Sequence, residues 1–297
     1  MKLGIFGTPS IRPDAGLTII RDYVDNIART LVQECDIEYF WSEKRDELEQ
    51  ADVILIPEFA YRQEKITTFL KGERFETPTI FYIVNSGWKY LGARRRKIIE
   101  YSDIIWNSSD YMVENGSKPG FWTPCSTYET EHFDKPRTKK GPLIIQSRHA
   151  RDPLRQAFTI DFLNKWQGDP IDFSTRDTDE ALEEAGLLDH PKLNRIKVEN
   201  MDGFIEYDFI LEFMAEPQSR QKRYWSDRQA HAVAHGAAVC TNYPETIEHW
   251  ESAFSHEDLL SGNYHVDKEA IRRDRDKWMM KNTFPNAWRK TLEALEL

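Results

Sequence analysis

The segment GPLIIQSRHARDPLRQAF, residues 141–158, decides the fold prediction because a strand-and-helix pattern begins there for the second time in the chain. Its apolar residues 143–145 predict a buried strand. Asp152 followed by Pro153 is typical of a helix N-cap and first helical position, so a helix is predicted over residues 153–166. A pattern that starts twice predicts two domains.

Short apolar segments alternate with helical ones on both sides of that point. On the N-terminal side they are KLGIFG, DIEYFW, DVILIP, TPTIFYIV, DIIWNS and GFWTPC, and on the C-terminal side PLIIQS, IDFST, RIKVEN, YDFILEF and AAVCTN. Near-continuous apolar strands separated by helices are typical of parallel sheets covered on both faces. The predicted fold is therefore α/β, with two Rossmann-like doubly wound domains facing across a cleft and helices at the C-terminus.

The domain boundary is predicted at the basic, proline-bounded segment DKPRTKKGP. Phe133, just before this segment, is expected to pin the last N-terminal strand and direct the chain into the second domain. The predicted division is a Rossmann-like domain over residues 1–135, a linker over 136–142, a second Rossmann-like domain over 143–275, and a helix over 276–297 that packs back on the N-terminal domain.

Composition limits the classes of function. The chain has 297 residues, of which 40% are hydrophobic and 12% aromatic, and this is typical of a globular protein with sizeable cores. Its net charge of −10 argues against a protein that simply coats nucleic acid or an anionic membrane. A local basic patch at residues 94–97 remains, either as a solvated helix face or as a contact surface.

The cysteines and the apolar runs predict a soluble intracellular protein. Cys35, Cys125 and Cys240 stand far apart without a CxxC pair, which indicates neither a disulfide framework nor a zinc site. No apolar run approaches the roughly 20 residues that cross a bilayer, so no membrane insertion is expected. We therefore expect a cytoplasmic protein, or one of the host cytoplasm if the source is viral. The sequence does not predict an oligomeric state.

Ligands of doubly wound domains bind beyond the carboxyl ends of the strands, so the loops there hold the candidate residues. The loop after the first strand is GTPSIRPDAG, residues 7–16, which lacks a GxGxxG fingerprint. Its candidates are Gly7, Thr8, Arg12 and Asp14. The alternative is an ordinary strand-to-helix loop in which Asp14 only supplies a favourable charge before the helix.

The loop after the first strand of the second domain is rich in arginine. Arg148, Arg151 and Arg155 bracket the predicted start of the helix at Pro153. Guanidinium groups beside a helix N-terminus suit a diphosphate, because helix N–H groups and forked guanidinium donors both bind anions. The alternative is a set of surface arginines without a ligand.

A third candidate segment is PQSRQKRYWSDRQAHAVAHGAAVC, residues 217–240. Ser226 with Gln229 is a capping-box pattern that predicts a helix start, and Gly236 predicts the helix end. The histidine on this helix either contacts a ligand or only fills the core. The candidate binding residues of the segment are Arg220, Arg223, Ser226 and His231.

Several of these segments together resemble a known family. SDIIWNSSDYMVENG followed by WTPCSTYETEHFDKP resembles the end of the N-terminal domain in retaining, family 4-like glycosyltransferases of the GT-B fold. GPLIIQSRHARDPLRQAF is similar to the family's phosphate-binding strand and helix, and AHAVAHGAAVCTN is similar to the segment before its sugar-nucleotide loop. The resemblance covers nearly the whole chain in the right order.

This resemblance implies a glycosyltransferase that uses a nucleotide-diphosphate sugar and needs no cofactor or metal. Residues 1–135 would then bind the acceptor and residues 143–275 the nucleotide sugar. Arg148 falls on the family's phosphate-binding arginine, and Asn85 would face the transferred sugar. The leaving phosphate would help to deprotonate the acceptor, giving retention. An inverting reaction would instead need a carboxylate base, for which Asp14 is the candidate.

The sequence also departs from the family pattern. His231 occupies the place of the family's second glutamate and Arg223 lies near the first. Pro153 falls near the family's lysine, which leaves Arg151 or Arg155 as its substitute. An unusual donor sugar, a rearranged nucleotide pocket or a catalytically inactive relative would each explain these differences.

The acceptor prediction follows from a second resemblance. Bacteriophage DNA glycosyltransferases are similarly compact GT-B proteins, and WRKTLEALEL at the end of the chain looks like their terminal helix. The favoured acceptor is therefore a hydroxymethylated base in double-stranded phage DNA, contacted by Gly7, Thr8, Arg12, Trp88 and Arg94. The alternatives are a saccharide or small-metabolite acceptor, a non-catalytic nucleotide-sugar-binding protein, and a nucleotide-sugar epimerase.

Overall fold

The protein consists of two compact units. The computed structural model describes residues 1–7, 18–57, 74–83, 98–107, 118–123, 133–146, 150, 152–175, 177–197, 203–213 and 227–297. The first unit comprises Met1–Thr127 with Lys281–Leu297, and the second comprises Tyr128–Met280. Each unit contains a six-stranded parallel sheet, which confirms the predicted α/β class and its two doubly wound halves.

The first sheet is built from strands that the apolar segments predict. They are β1 (Lys2–Phe6), β2 (Glu38–Ser42), β3 (Val53–Pro57), β4 (Thr79–Ile83), β5 (Ile104–Asn107) and β6 (Gly120–Trp122). Their order is β2-β1-β3-β4-β5-β6, and every pairing is parallel. The central strands β3, β4 and β5 are buried along their whole length, as a sheet covered on both faces requires.

The second sheet has a different strand order. Its strands are β7 (Lys139–Gln146), β8 (Ile171–Thr175), β9 (Leu193–Arg195), β10 (Tyr207–Glu212), β11 (Ala238–Thr241) and β12 (Phe254–Ser255). They follow the order β12-β11-β10-β7-β8-β9, again with parallel pairings throughout. In chain order within this unit, that is the Rossmann arrangement 6-5-4-1-2-3.

The described helices lie between these strands and after them. They are α1 (Thr18–Cys35), α2 (Arg45–Leu48), α3 (Pro153–Lys165), α4 (Asp179–Glu184), α5 (Gly203–Glu206), α6 (Asp227–Ala234), α7 (Pro244–His249), α8 (His256–Ser261), α9 (Lys268–Asp274) and α10 (Phe284–Leu295). A π-helical turn over Arg275–Met279 and a 3₁₀ turn over Met280–Asn282 separate α9 from α10. None of the helices described here has the length and apolarity to span a membrane.

The C-terminal helix α10 completes the core of the first unit. Trp106 on β5 and Trp288 on α10 are fully buried in the same cluster, together with residues of α1. The Trp106 indole Nε1 donates a hydrogen bond to Thr291 Oγ1 at 3.0 Å, and the rings of Tyr82 and Phe284 meet edge to face at 6.0 Å. These contacts bind the last segment of the chain to the sheet formed by the first 123 residues.

The boundary between the units differs from the predicted linker at 136–142. Phe133 belongs to the second unit, where the guanidinium carbon of Arg275 lies 4.0 Å from its ring centre. Arg137 donates to the backbone carbonyls of Phe204, Ile205 and His235, and the strand β7 already begins at Lys139. Arg137 is therefore bound within the second unit, because backbone carbonyls there accept its hydrogen bonds.

Gly236 ends helix α6 in the conformation that its sequence predicts. Its φ is +82°, its N–H donates to Val233, and the N–H of Ala237 donates to Ala232, which is a Schellman motif. A Cβ atom at this position would lie 2.6 Å from Arg137 Nη2 and 2.9 Å from the Phe133 carbonyl oxygen. Both the backbone conformation and the space therefore require glycine.

Gly236→Ala is expected to lower the free energy of unfolding by about 3 kcal/mol, from left-handed strain and overpacking together. Gly186 is a matched control, because its φ is +68° but no atom lies within 4 Å of an added Cβ. Gly186→Ala should therefore cost only about 1 kcal/mol. Chemical denaturation of both variants measures the difference, and equal losses would contradict the steric part of the argument.

Candidate functional site

The strand order of the second sheet identifies where a ligand is expected to bind. The chain runs outward from β7 to β8 and β9, and then returns to place β10 on the opposite side of β7. The connections after β7 and β10 therefore leave in opposite directions, which makes their carboxyl ends a topological switch point. We refer to this end of the second sheet as the carboxyl edge.

The helix that follows β7 begins at the carboxyl edge with the predicted cap. Asp152 Oδ1 accepts a hydrogen bond from the backbone N–H of Arg155 at 3.0 Å, and Pro153 occupies the first turn. This 13-residue helix, α3, directly follows in the sequence the segment that carries Arg148 and Arg151. The helix dipole favours an anion at such an end.

Arg155 is buried within this edge. Only 8% of its surface is exposed, and its Nε donates to the backbone carbonyl of Phe213 at 3.0 Å. This bond connects α3 with the end of β10 on the other side of the switch point. The role of Arg155 in binding a diphosphate stays a prediction.

A buried carboxylate at the end of β10 is a feature that the sequence analysis missed. Glu212 is 1% exposed and accepts hydrogen bonds from Gln229 Nε2 at 2.5 Å and from Arg228 Nη2 at 3.2 Å. Both donors lie on α6, which follows β10 in the chain. The ion pair therefore fixes the start of α6 against the carboxyl edge. A glutamate inside the apolar run YDFILEF was the available signal.

Further hydrogen bonds extend from this carboxylate into the neighbouring helices. Gln229 Nε2 also donates to Thr246 Oγ1 at 3.2 Å, and its Oε1 accepts from Trp250 Nε1 at 3.2 Å. The ring Nε2 of His256 lies 3.0 Å from the backbone carbonyl oxygen of Glu212. The buried polar groups around β10 thus form one connected network, which makes this edge rigid.

His231, a predicted ligand-binding residue, lies in the middle of α6. Its ring is fully buried and stacks on Phe204, with ring centres 6.2 Å apart and an angle of 7° between the planes. Burial, reinforced by the neighbouring His235, lowers the pKa of His231 well below its usual value. The imidazole is therefore neutral near pH 7. Contact between His231 and a donor stays a prediction.

His256 gives the second unit a predictable response to acid. Burial between Phe162 and Phe213 lowers the pKa of His256 from 6.5 to about 4. Between pH 6.5 and about 4, the His256 ring is therefore protonated in the unfolded chain but neutral in the folded protein. As far as His256 determines it, the free energy of unfolding is highest above pH 6.5 and decreases as the pH falls toward 4.

We expect His256→Gln to flatten the acid dependence of stability, because glutamine can donate to the Glu212 carbonyl but does not titrate. Between about pH 7 and pH 4, the wild type should lose about 3 kcal/mol more of its free energy of unfolding than the variant loses. Chemical denaturation at several pH values measures both slopes. The carboxylates and His231 are present in both proteins, so only His256 differs between the two slopes. Parallel slopes would therefore contradict the assignment of this acid dependence to His256.

In the first unit, Gly7 is the predicted site residue that the structure describes. It follows β1 with a φ of +128°, and its N–H donates to the Ser42 carbonyl at 3.0 Å. The Trp41 ring would lie 3.5 Å from a Cβ atom at this position. The predicted site residues other than Gly7, Arg155 and His231 lie outside the described part of the chain: Thr8, Arg12, Asp14, Asn85, Trp88, Arg94, Arg148, Arg151, Arg220, Arg223 and Ser226.

Comparison with known proteins shows similarity in structure. No protein-family model matches the sequence, and no curated protein matches it significantly. An alpha-glucosyltransferase in complex with UDP and a 13-mer DNA containing a HMU base is similar with a TM-score of 0.62 and 12% identity, over 100% of both chains.

Two further solved structures have comparable similarity. AviGT4, a glycosyltransferase involved in Avilamycin A biosynthesis, has a TM-score of 0.60 and 12% identity, covering 99% of this chain and 97% of its own. An alpha1,3-fucosyltransferase has a TM-score of 0.52 and 12% identity, covering 100% of this chain and 90% of its own. At these identities the similarity establishes the fold alone.

Proposed function

We propose that this chain, which has the GT-B fold, is a glycosyltransferase that moves a sugar from a nucleotide-diphosphate sugar to a hydroxyl acceptor. The observation that carries the proposal is the carboxyl edge of the second sheet. There, the capped N-terminus of α3 lies at a topological switch point, and the segment with Arg148 and Arg151 directly precedes it in the sequence. Such an edge suits the diphosphate of a donor.

The proposed chemistry is electrostatic. As the glycosidic bond of the donor breaks, negative charge develops on the leaving diphosphate, and Arg148 with the N–H groups at the start of α3 would stabilise it. The leaving phosphate would then take the acceptor proton on the same face, with Asn85 beside the sugar. Retention of configuration and independence of metal are parts of this proposal. The inverting alternative would use Asp14 as its base.

The proposed acceptor is a hydroxymethylated base in DNA. Support comes from the alpha-glucosyltransferase that was solved with UDP and DNA containing a HMU base, because its whole length matches the whole of this chain. An enzyme acting on a base must take it out of the stack. Arg12, Trp88 and Arg94 are the residues proposed to contact the DNA, with Gly7 and Thr8 near the acceptor hydroxyl.

A transfer assay tests this function. Purified protein is incubated with a panel of UDP, GDP, ADP and TDP sugars, and with duplex DNA that contains hydroxymethylcytosine, hydroxymethyluracil or neither. Mass spectrometry of the digested nucleosides should show a hexose or pentose on a hydroxymethylated base and none on unmodified DNA. Transfer to saccharides alone would remove the DNA acceptor, and the anomeric configuration of the product decides between retention and inversion.

A second candidate is a protein that binds nucleotide sugars without transferring them. The observation in its favour is His231, a buried neutral ring at the place where the resembled family has a glutamate. Such a protein would bind a nucleotide sugar tightly and leave it intact. Turnover in the transfer assay, or slow hydrolysis of the donor without an acceptor, would exclude this candidate.

A further inference from the structure

Asp177 lies at the carboxyl edge immediately after β8, the neighbour of β7. It is 7% exposed, and its Oδ2 accepts hydrogen bonds from the backbone N–H of Ala150 at 2.6 Å and from Thr175 Oγ1 at 3.0 Å. Thr175 in turn accepts from the N–H of Asp177 at 3.2 Å. The carboxylate is therefore fixed at the end of its own strand and connects it to the loop after β7.

Ala150, the residue bound by Asp177, is held at both its backbone N–H and its backbone carbonyl. Its carbonyl oxygen accepts a hydrogen bond from the side-chain amide of Gln156 on α3. The residue is itself buried, with 8% of its surface exposed. One partner thus comes from the residues just after β8 and the other from the first turn of α3. Together they fix the backbone of Ala150, that is, the peptide groups before and after it.

The held residue occupies a special place in the sequence. Ala150 stands between Arg148 and Arg151, the two arginines proposed to bind the donor diphosphate. The loop is also fixed at its ends, where Gln146 pairs with Thr175 and Asp152 caps α3. Since a guanidinium binds a phosphate only in a narrow geometry, the orientation of the backbone at Ala150 matters.

We propose that Asp177 and Gln156 are positioning residues for the donor diphosphate, acting through Ala150. They hold the backbone of Ala150, which stands in the sequence between the two arginines proposed to bind the ligand. Asp177 does not itself touch the donor in this proposal. The inference rests on the proposed function, since it needs a nucleoside diphosphate as the ligand.

The test combines nucleotide binding with amide exchange in the full-length protein. UDP and inorganic pyrophosphate serve as probes, and calorimetry measures their dissociation constants. Asp177→Ala and Gln156→Ala should each weaken binding of both probes about tenfold, the effect of losing one hydrogen bond in positioning. Without any probe, the amides of residues 147–152 should exchange faster in both variants than in the wild type.

Two further variants separate positioning from general damage. Asp177→Asn keeps an oxygen that can accept the hydrogen bond from the Ala150 N–H. Its amide nitrogen takes the place of Asp177 Oδ1, which has no hydrogen-bond partner among the described residues. This variant should bind both probes within about twofold of the wild type. Asp179→Ala is the matched control, because its exposed carboxylate pairs with Arg195 on β9. It should leave binding and loop exchange unchanged.

The outcomes are distinguishable. If the wild type binds neither UDP, any other nucleoside diphosphate nor pyrophosphate, the proposed function fails and the inference fails with it. If the wild type binds but Gln156→Ala and Asp177→Ala bind equally well, only the inference is overturned. Unchanged exchange of residues 147–152 in these variants also overturns it. Gln156 lies on the partly exposed side of α3, so its variant keeps the test decisive if Asp177→Ala fails to fold.

Discussion

Arg148→Ala is expected to weaken nucleoside diphosphate binding about 100-fold, because it removes charge-assisted, forked hydrogen bonds to the phosphates. The effect should be large on binding and small on stability. Arg148 lies outside the described residues, but its loop follows β7, and Asp152 caps the helix that follows. Calorimetric titration of the tightest-binding nucleoside diphosphate gives the dissociation constant.

The control for this experiment is another arginine of the second unit. Arg195→Ala removes a guanidinium that pairs with Asp179 on the surface, on the strand at the far end of the sheet. Its nucleotide affinity should match that of the wild type. If Arg148→Ala also binds as the wild type does, the assignment of the diphosphate to this loop is wrong.

Glu212→Ala is expected to lower the free energy of unfolding by about 4 kcal/mol, the second large effect. The substitution leaves the Arg228 guanidinium and the Gln229 amide without the carboxylate that they contact in a buried place. Glu212 is 1% exposed and the Arg228 side chain 18% exposed, and removing one member of such a shielded ion pair costs more than the pair itself contributes. Chemical denaturation measures the loss.

Two variants calibrate this result. Glu248→Ala removes an exposed glutamate from α7 and should change stability by less than about 0.5 kcal/mol. Arg228→Ala combined with Glu212→Ala removes both charges, and a double-mutant cycle then gives their coupling. If Glu212→Ala alone costs no more than Glu248→Ala, the buried pair does not stabilise the carboxyl edge.

The strands could be predicted from the sequence because their burial is continuous. Segments such as DVILIP and TPTIFYIV contain uninterrupted apolar residues, and they form β3 and β4 at the centre of the first sheet. The strand β9 begins earlier than predicted: RIKVEN predicts a strand over residues 195–200, whereas β9 spans Leu193–Arg195 and residues 198–200 lie outside the described chain. This edge strand is only three residues long and half exposed, so its pattern is weak. The two-residue strand β12 is too short for any pattern.

Local signals also predicted the helix ends at the site. Asp152 with Pro153 predicts the start of α3, and Gly236 predicts the end of α6. Both depend on residues within one turn of each other, so the sequence contains all the information needed.

The two compact units divide before the predicted linker at 136–142, and long-range contacts are the reason. Arg137 appears in a run of basic and proline residues that suggests a solvated connection. Its carbonyl partners belong to residues 204, 205 and 235, which lie far away in the sequence. Two buried carboxylates of the site could not be predicted from the sequence for the same reason. Glu212 and Asp177 acquire their roles from Gln229 and Ala150, and no local pattern connects these pairs.

The most direct test of the central claim is hydrogen–deuterium exchange with and without the nucleoside diphosphate that binds. The claim is that the diphosphate binds at the carboxyl edge of the second sheet. Amides of residues 146–156 should then be protected, while those at the opposite end of the same sheet, around Lys139 and Asp172, should exchange unchanged. Protection confined to that opposite end, or to the first unit, would contradict the account.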